Sequence, residues 1–121
     1  MSAIESQQIV IATTGGAGVS AGSQDTIPIN GFLLDVFIDY NTAAPATTDV
    51  TISDPVFGDL VVKSNNATDC KVAPREELCD AAAADVGLYD LIPINSALTV
   101  SVAESDDLDP CVTVTIRWVT P

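Results

Sequence analysis

The run Asp106-Asp107-Leu108-Asp109 is the segment of the 121-residue chain whose residue types come nearest to an ion-binding site. Carboxylate oxygens are the ligands that calcium prefers. The run lacks the spacing and the glycine of an EF-hand loop, and Pro110 follows it directly. A solvated acidic loop is therefore the expected structure, with calcium held at an interface as the alternative. The candidate ligands in that case are Asp106, Asp107 and Asp109.

The other side-chain combinations that could support catalysis are absent or wrongly spaced. The chain has no histidine, which excludes Ser-His-Asp and Cys-His nucleophile systems and histidine-ligated zinc within it. Asp35 and Asp39 lie on one predicted strand, so their side chains would stand about 13 Å apart, wider than a glycosidase carboxylate pair. The glycine-rich residues 15–22 contain no lysine and open no helix, which argues against a phosphate cradle. We predict no enzyme activity and no cofactor.

The three cysteines, Cys70, Cys79 and Cys111, cannot all pair within one chain. Buried or merely tolerated thiols in a reducing compartment are the expected state. A disulfide between Cys70 and Cys79 is the first alternative. A metal site is the second, although the spacings match no zinc motif.

The charge balance excludes several classes of partner. With 17 acidic and 4 basic side chains, the formal net charge is −13. The cations are too few and too scattered to follow a phosphate backbone, so we expect binding neither to nucleic acid nor to anionic membrane. No apolar run approaches the roughly 18 residues of a membrane span. The first eight residues lack a basic start and a long apolar stretch, which predicts that there is no secretory signal.

The hydrophobic pattern indicates β-structure almost throughout. Val, Ile and Thr, whose branched side chains favour strands, supply 36 of the 121 residues. Apolar and polar residues alternate along residues 112–118, as in a strand with one buried face. The fold prediction is all-β: an antiparallel β-sandwich or jelly-roll-like barrel of about eight strands. The predicted strands cover residues 8–13, 26–29, 32–40, 50–53, 60–63, 91–94, 98–102 and 112–118.

The chain is predicted to form one domain with an appended N-terminal part. Residues 1–25 are interpreted as a strand followed by a glycine-rich arm, and residues 26–121 as the β-sandwich. The one helical candidate is a short turn over residues 80–85, capped by Asp80. Ile27-Pro28-Ile29-Asn30 recurs as Ile92-Pro93-Ile94-Asn95, which suggests two matching β-hairpins in facing sheets or a chance repeat.

Several residues are candidates for contacts with other proteins. In the strand over residues 32–40, the even-numbered residues are assigned to the core, which leaves Leu33 and Phe37 on a second apolar side. We expect the strand over residues 8–13 to pair with a neighbouring sheet edge, because free backbone groups at an edge favour pairing. The predicted interface residues are Ile9, Ile11, Leu33, Phe37, Arg75 and Arg117.

Three segments together resemble a known class of protein. They are Ile29-Asn30-Gly31-Phe32-Leu33-Leu34 with Asp39-Tyr40, Pro45-Ala46-Thr47-Thr48-Asp49-Val50-Thr51-Ile52, and Tyr89-Asp90-Leu91-Ile92-Pro93-Ile94 with Leu98-Thr99-Val100-Ser101-Val102. The combination is similar to small β-sandwich virion structural proteins of tailed viruses, in particular head decoration (cement) proteins. Pro74-Arg75 after Val72 also fits that class. The glycine-rich N-terminal part and residues 104–110 fall outside the resemblance.

The resemblance implies a function without catalysis. A protein of this class oligomerises, often as a trimer, and clamps neighbouring subunits of the major capsid protein from outside the shell. Its location would be the capsid surface of the virion, after synthesis in the host cytoplasm. The first alternative is a tail or receptor-binding component, and the second is a carbohydrate-binding or adhesion module.

Overall fold

The computed structural model describes residues 2–121, and within them it contains eleven strands and no helix. All strand pairs are antiparallel, which confirms the all-β prediction, although there are more strands than the predicted eight. The strands are β1 (Ile4–Ile11), β2 (Ser20–Asp25), β3 (Ile29–Tyr40), β4 (Asp49–Asp54), β5 (Gly58–Lys63), β6 (Cys70–Val72), β7 (Glu76–Cys79), β8 (Asp85–Asp90), β9 (Ile92–Ser96), β10 (Thr99–Ser105) and β11 (Val112–Val119).

Nine of these strands form the two layers of a sandwich. The first sheet has the order β1-β11-β3-β6, with β9 also paired to β3, and the second has the order β2-β10-β4-β5. One hydrophobic cluster draws on both sheets, for example through Val114 and Ile116 of the first and Ile52 and Val100 of the second. The strands are not closed into a barrel, so the sandwich alternative is the correct one.

The central strand β11 shows how alternation produces this architecture. Val112, Val114, Ile116 and Trp118 are all buried, and the residues between them are partly exposed. Side chains alternate across a strand, so each second residue enters the core. Because β11 pairs with β1 on one side and with β3 on the other, this strand fixes the register of the sheet.

A bulge in β3 corrects the predicted assignment of its faces. The pairs Arg117–Asp35 and Trp118–Leu33 leave Leu34 as an extra residue on β3. One extra residue reverses the alternation, so Leu33 is buried and Phe32 is exposed, whereas Val36, Ile38 and Tyr40 are buried as predicted. The prediction that Leu33 lies on a second apolar side and Phe32 in the core is therefore wrong.

The N-terminal residues are an integral part of the sandwich, which corrects the expectation of an arm. β1 pairs with β11 along its whole length, and Ile9 and Ile11 are buried in the core. β2 lies in the part of the chain that was predicted to be a glycine-rich arm, and it pairs with β10 in the second sheet. Gly22 lies where a Cβ would come within 2.1 Å of the Ala12 carbonyl oxygen, so the glycine permits this close approach of the chain.

An insertion interrupts one edge of the first sheet. β6 pairs with residues 36–38 of β3, and β9 pairs with residues 29–33 of the same strand. Residues 73–91 leave the sheet between these two pairings and form the antiparallel hairpin β7–β8. The repeated Ile-Pro-Ile-Asn motifs pair with each other here, through Asn30 and Asn95, so they do not lie in facing sheets.

The predicted helical turn lies at the tip of this hairpin and is not helical. Asp80 Oδ1 accepts hydrogen bonds from the backbone N–H groups of Ala82 and Ala84, so the aspartate does cap a turn. Ala83 has a φ of 61°, outside the right-handed helical region. The capping function of Asp80 was predicted correctly, but the element that it stabilises is the connection between β7 and β8.

In residues 2–121 no helix is long and apolar enough to cross a membrane.

Candidate interaction surfaces

The outer face is our name for the solvent-facing side of the first sheet around β3, defined by Phe32, Asp35, Phe37, Lys71 and Arg117. The register places Asp35 opposite Arg117 and Phe37 opposite Lys71, so these side chains share one side. Phe32 and Phe37 are 41% and 43% exposed, which is high for phenylalanine. The outer face therefore combines exposed aromatic rings with charged groups.

An ion cluster centred on Asp35 organises the outer face. Arg117 Nε donates to Asp35 Oδ1 at 2.7 Å, and Arg117 Nη2 donates to Oδ2, which gives a bidentate salt bridge. Lys71 Nζ lies 3.5 Å from Asp35 Oδ2. The hydrogen bonds from Arg117 lower the pKa of Asp35 despite the opposing effect of burial. The positive charge of Lys71 lowers this pKa as well. Asp35 is thus ionised and Arg117 is held in place across the face.

Arg75 completes a group of three cations at this part of the molecule. Its Nη1 donates to the Leu34 carbonyl at 2.9 Å and to the Pro74 carbonyl at 2.8 Å. Leu34 lies between the pairings of β6 and β9, where the insertion leaves this edge of β3 without a neighbouring strand, although β11 pairs with the other edge. The guanidinium therefore supplies a donor that a continuous edge strand would have provided. With Lys71 and Arg117, it brings three of the chain's four cations to one area, and the fourth, Lys63, is on β5 of the other sheet.

The β7–β8 hairpin is the second candidate surface. Neither strand pairs with a strand of the two main sheets, and every residue of β8 is exposed. Its large apolar side chains are unusually accessible, and they are Leu78, Val86, Leu88 and Tyr89. Its charged residues are all acidic, and they are Glu76, Glu77, Asp80, Asp85 and Asp90. The hairpin is thus both apolar and acidic.

The apolar end is our name for the exposed Ile27, Val56 and Phe57 at one end of the sandwich. Ile27 lies between β2 and β3, and Val56 and Phe57 form the turn between β4 and β5. The strand register places both connections at the end where β10 begins, since Thr99 pairs with Asp25 and with Ser53. Val56 is 84% exposed, the highest value among the large hydrophobic residues.

Asp54 holds the turn that presents Val56. Its Oδ2 accepts hydrogen bonds from the backbone N–H groups of Val56 and Phe57 at 2.8 and 2.9 Å, and its Oδ1 accepts one from the Ser96 hydroxyl at 2.7 Å. Burial alone would raise the pKa of Asp54, but these hydrogen bonds outweigh it and lower the pKa. The ionised side chain fixes the β4–β5 turn against the end of β9.

The opposite end of the sandwich carries the acidic loop that the sequence suggested as a cation site. Asp106 Oδ1 accepts a hydrogen bond from Gly18 N at 2.9 Å, and the Thr13 hydroxyl donates to the Asp106 carbonyl. In the described part of the chain, no three His, Cys, Asp or Glu side chains are grouped as a metal site would require, Asp107 and Asp109 included. Asp106 instead fixes the loop between β1 and β2. Residues 2–121 enclose no pocket.

The predicted interface residues divide into two groups. Ile9, Ile11 and Leu33 are buried in the chain's own core, so the prediction that they contact a partner is wrong. Phe37 and Arg117 are on the outer face, and Arg75 lies at the edge of the outer face. Arg117, which was predicted as an interface residue, binds Asp35 of its own chain. β1 pairs with β11 and leaves its other edge free of a strand within residues 2–121.

All three cysteines are free thiols. Cys111 is buried and its Sγ lies 3.2 Å from the Ser105 hydroxyl oxygen. Cys70 is half-buried, and burial raises the pKa of its thiol. Cys79 is exposed on the hairpin, where it donates to Asp85 Oδ1 at 3.3 Å, and this hydrogen bond raises the pKa of its thiol. The alternative of a Cys70–Cys79 disulfide is not realised.

The hairpin and the apolar end were missed by sequence reasoning. The hairpin has no regular strand alternation, because Leu88 and Tyr89 are adjacent, and the alanine run before β8 indicated a helical turn. The apolar end has no periodic signal, because turn residues follow no strand repeat. Only the pairing of distant strands brings Ile27 next to the β4–β5 turn.

Comparisons with known proteins place the fold but not the family. No family model matches the chain, and no curated protein matches it. The crystal structure of FLHE is similar, with a TM-score of 0.50 and 13% identity over 97% of this chain and 96% of that chain. This likeness shows a shared fold only.

Two further solved structures are similar at lower scores. One is the virus-like particle of the Macrobrachium rosenbergii extra small virus, with a TM-score of 0.37 and 15% identity over 98% of this chain and 78% of that chain. The other is a family two carbohydrate esterase from Cellvibrio japonicus, with a TM-score of 0.39 and 12% identity over 99% of this chain. The match spans 34% of the esterase chain. At these scores neither supports an inference about this chain.

Proposed function

We propose that this chain is a non-enzymatic structural protein that attaches to the outside of a viral shell, as a capsid decoration protein. The observation that carries the proposal is the unequal distribution of exposed apolar and acidic residues between the two ends of the sandwich. Ile27, Val56 and Phe57 are exposed at one end. Glu104, near the end of β10, and Asp106, Asp107 and Asp109 in the loop that follows lie at the other. A protein with this distribution can bury its apolar end against a protein surface and keep its acidic end in water.

The construction of the apolar end supports attachment rather than accidental exposure. The Asp54 hydrogen bonds hold Val56 and Phe57 in one turn, and Leu98 N donates to the Thr26 hydroxyl beside Ile27. Side chains on rigid connections lose little conformational freedom on binding, which favours affinity. The proposed partner is the major capsid protein, which a decoration protein contacts in many equivalent copies.

The test is co-sedimentation of the full chain with shells of the major capsid protein encoded in the same genome. The double variant Ile27→Ser/Val56→Ser removes two exposed apolar side chains, each worth up to about 1.5–3 kcal/mol when fully buried, so binding should weaken at least tenfold. The control Val19→Ser/Val62→Ser removes two comparably exposed valines elsewhere and should bind normally.

Two measurements decide the outcome. The urea midpoints of both double variants should match the wild type, because exposed substitutions change stability by about 0.5 kcal/mol or less. Native particles should contain this chain in copy numbers comparable to the major shell protein, as measured by quantitative mass spectrometry. Failure of the wild-type chain to bind shells, or equal binding by the Ile27/Val56 variant, would contradict the proposal. A copy number of tens or fewer would indicate a tail component instead.

A further inference from the structure

The charges of this chain are divided between two surfaces that complement each other. Lys71, Arg75 and Arg117 lie on or beside the outer face, and the β7–β8 hairpin carries only carboxylates among its charged groups. We propose that the β7–β8 hairpin of one copy of the chain docks on the outer face of a second copy. This deepens the proposed function, on which it rests for the side-by-side arrangement of copies on a shell.

The exposed apolar side chains show that nothing in residues 2–121 covers the hairpin. Leu78, Val86, Leu88 and Tyr89 are between 39% and 63% exposed. An isolated two-stranded hairpin is marginally stable in water unless a third strand or another layer covers one face. Val86, Leu88 and Tyr89 lie close together along β8, so one docking event can cover all three.

The outer face provides both kinds of contact that the hairpin needs. Phe32 and Phe37 present aromatic surface, against which leucine and tyrosine side chains can pack. The Lys71 side chain is 62% exposed, so its ammonium can contact a further carboxylate beyond Asp35. The three cations outnumber the acidic residues on this part of β3, which are Asp35 and Asp39. The acidic hairpin would therefore meet a locally positive surface on a protein whose net charge is −13.

The position of the hairpin favours a second copy over folding back. It leaves the first sheet at the edge of β3, between the pairings with β6 and β9, so it starts beside its own outer face. In the structure the hairpin forms a separate two-stranded sheet, and all of β8 is exposed. Each copy therefore presents one hairpin and one outer face side by side. Two copies can exchange hairpins reciprocally, or several can form a closed ring.

The experiment measures the mass of the full chain by analytical ultracentrifugation at high micromolar concentration. The wild type should exceed the monomer mass of 12.5 kDa, and raising the salt from about 0.05 to about 0.5 M should weaken association by screening the charges. Leu88→Ser alters the hairpin and Lys71→Glu alters the outer face, and each should weaken association at least about tenfold. The matched controls are Val62→Ser, with similar exposure on β5, and Lys63→Glu, with the same charge change on the other sheet.

A mixing experiment tests whether the two surfaces bind each other. Leu88→Ser keeps an intact outer face and Lys71→Glu keeps an intact hairpin, so a mixed pair has one unaltered hairpin–face contact that neither variant can form alone. An equimolar mixture should therefore associate more strongly than either variant by itself. A monomeric wild type, controls as defective as the test variants, or a mixture that associates no more strongly than its components would each overturn the inference. Loss of shell binding by Ile27→Ser/Val56→Ser with unchanged self-association would support both proposals. Self-association without any shell binding would overturn only the proposed function.

Discussion

Replacing Ile11 by alanine tests whether the N-terminal strand belongs to the core. The Ile11 side chain is 1% exposed and lies in the hydrophobic cluster between the sheets. The substitution removes three carbon atoms, worth about 2.4 kcal/mol at about 0.8 kcal/mol for each. The remaining cavity adds about 1 kcal/mol, although β1 is an edge strand and can relax towards it. We expect the free energy of unfolding to fall by about 3 kcal/mol.

The assay is urea unfolding followed by the fluorescence of Trp118, the single tryptophan, which is buried in the neighbouring strand. With a urea dependence of about 1.5–2 kcal/mol per M for a chain of this size, the midpoint should fall by about 1.5–2 M. The control is Val10→Ala, because Val10 is the adjacent residue of β1 and is 45% exposed. It should shift the free energy by about 0.5 kcal/mol or less.

The opposite pattern would refute the assignment of β1 to the core. If residues 1–25 were an arm that pairs with a neighbouring molecule, Ile11→Ala would leave the urea midpoint of the monomer unchanged and would weaken self-association. A midpoint within about 0.3 M of the wild type, at a concentration where both proteins are monomeric, would mean that Ile11 is not packed as described.

Two further predictions concern the charged and reactive groups. Arg117 lowers the pKa of Asp35, so the stabilising contribution of the ionised carboxylate should be complete above the ordinary pKa of 3.8 and lost as the pH falls through the lowered value. In urea unfolding, Asp35→Asn should remove this part of the pH dependence of stability. Asp39→Asn, on the same strand, should retain it. For the cysteines, mass spectrometry after brief maleimide treatment of dilute native protein should find Cys79 modified first and Cys111 only after unfolding, and rapid modification of Cys111 would contradict its burial.

The strands of the sandwich could be predicted where an apolar residue occupies every second position. In β11, valine, isoleucine and tryptophan alternate with threonine and arginine, so the pattern admits one phase and one buried face. In β3, Phe32, Leu33 and Leu34 are consecutive apolar residues, and a period of two cannot tell which of them face inwards. The phase is decided by the bulge at Leu34, and this depends on the pairing with β11, far away in the chain.

The strand β2 and the hairpin were not predictable from hydrophobic periodicity, for two different reasons. β2 has the sequence Ser-Ala-Gly-Ser-Gln-Asp and lies at an edge, where pairing with β10 through backbone hydrogen bonds sustains it without large core side chains. The hairpin packs on neither sheet, so no buried face imposes a pattern on it. Both elements are defined by their partners, and a single sequence records the partner of a strand only when burial accompanies the pairing.

The insertion of residues 73–91 explains why the cations of this acidic chain are gathered beside its most acidic projection. Interrupting the edge strand between β6 and β9 leaves the Leu34 carbonyl without a strand partner, and Arg75, at the base of the hairpin, donates to it. The bulge at the same position turns Asp35 outwards, where Arg117 and Lys71 neutralise it. The insertion and the bulge together thus place an acidic hairpin beside a cationic surface. Because the hairpin pairs with neither main sheet and β8 is exposed, the attraction between them remains available to a neighbouring copy.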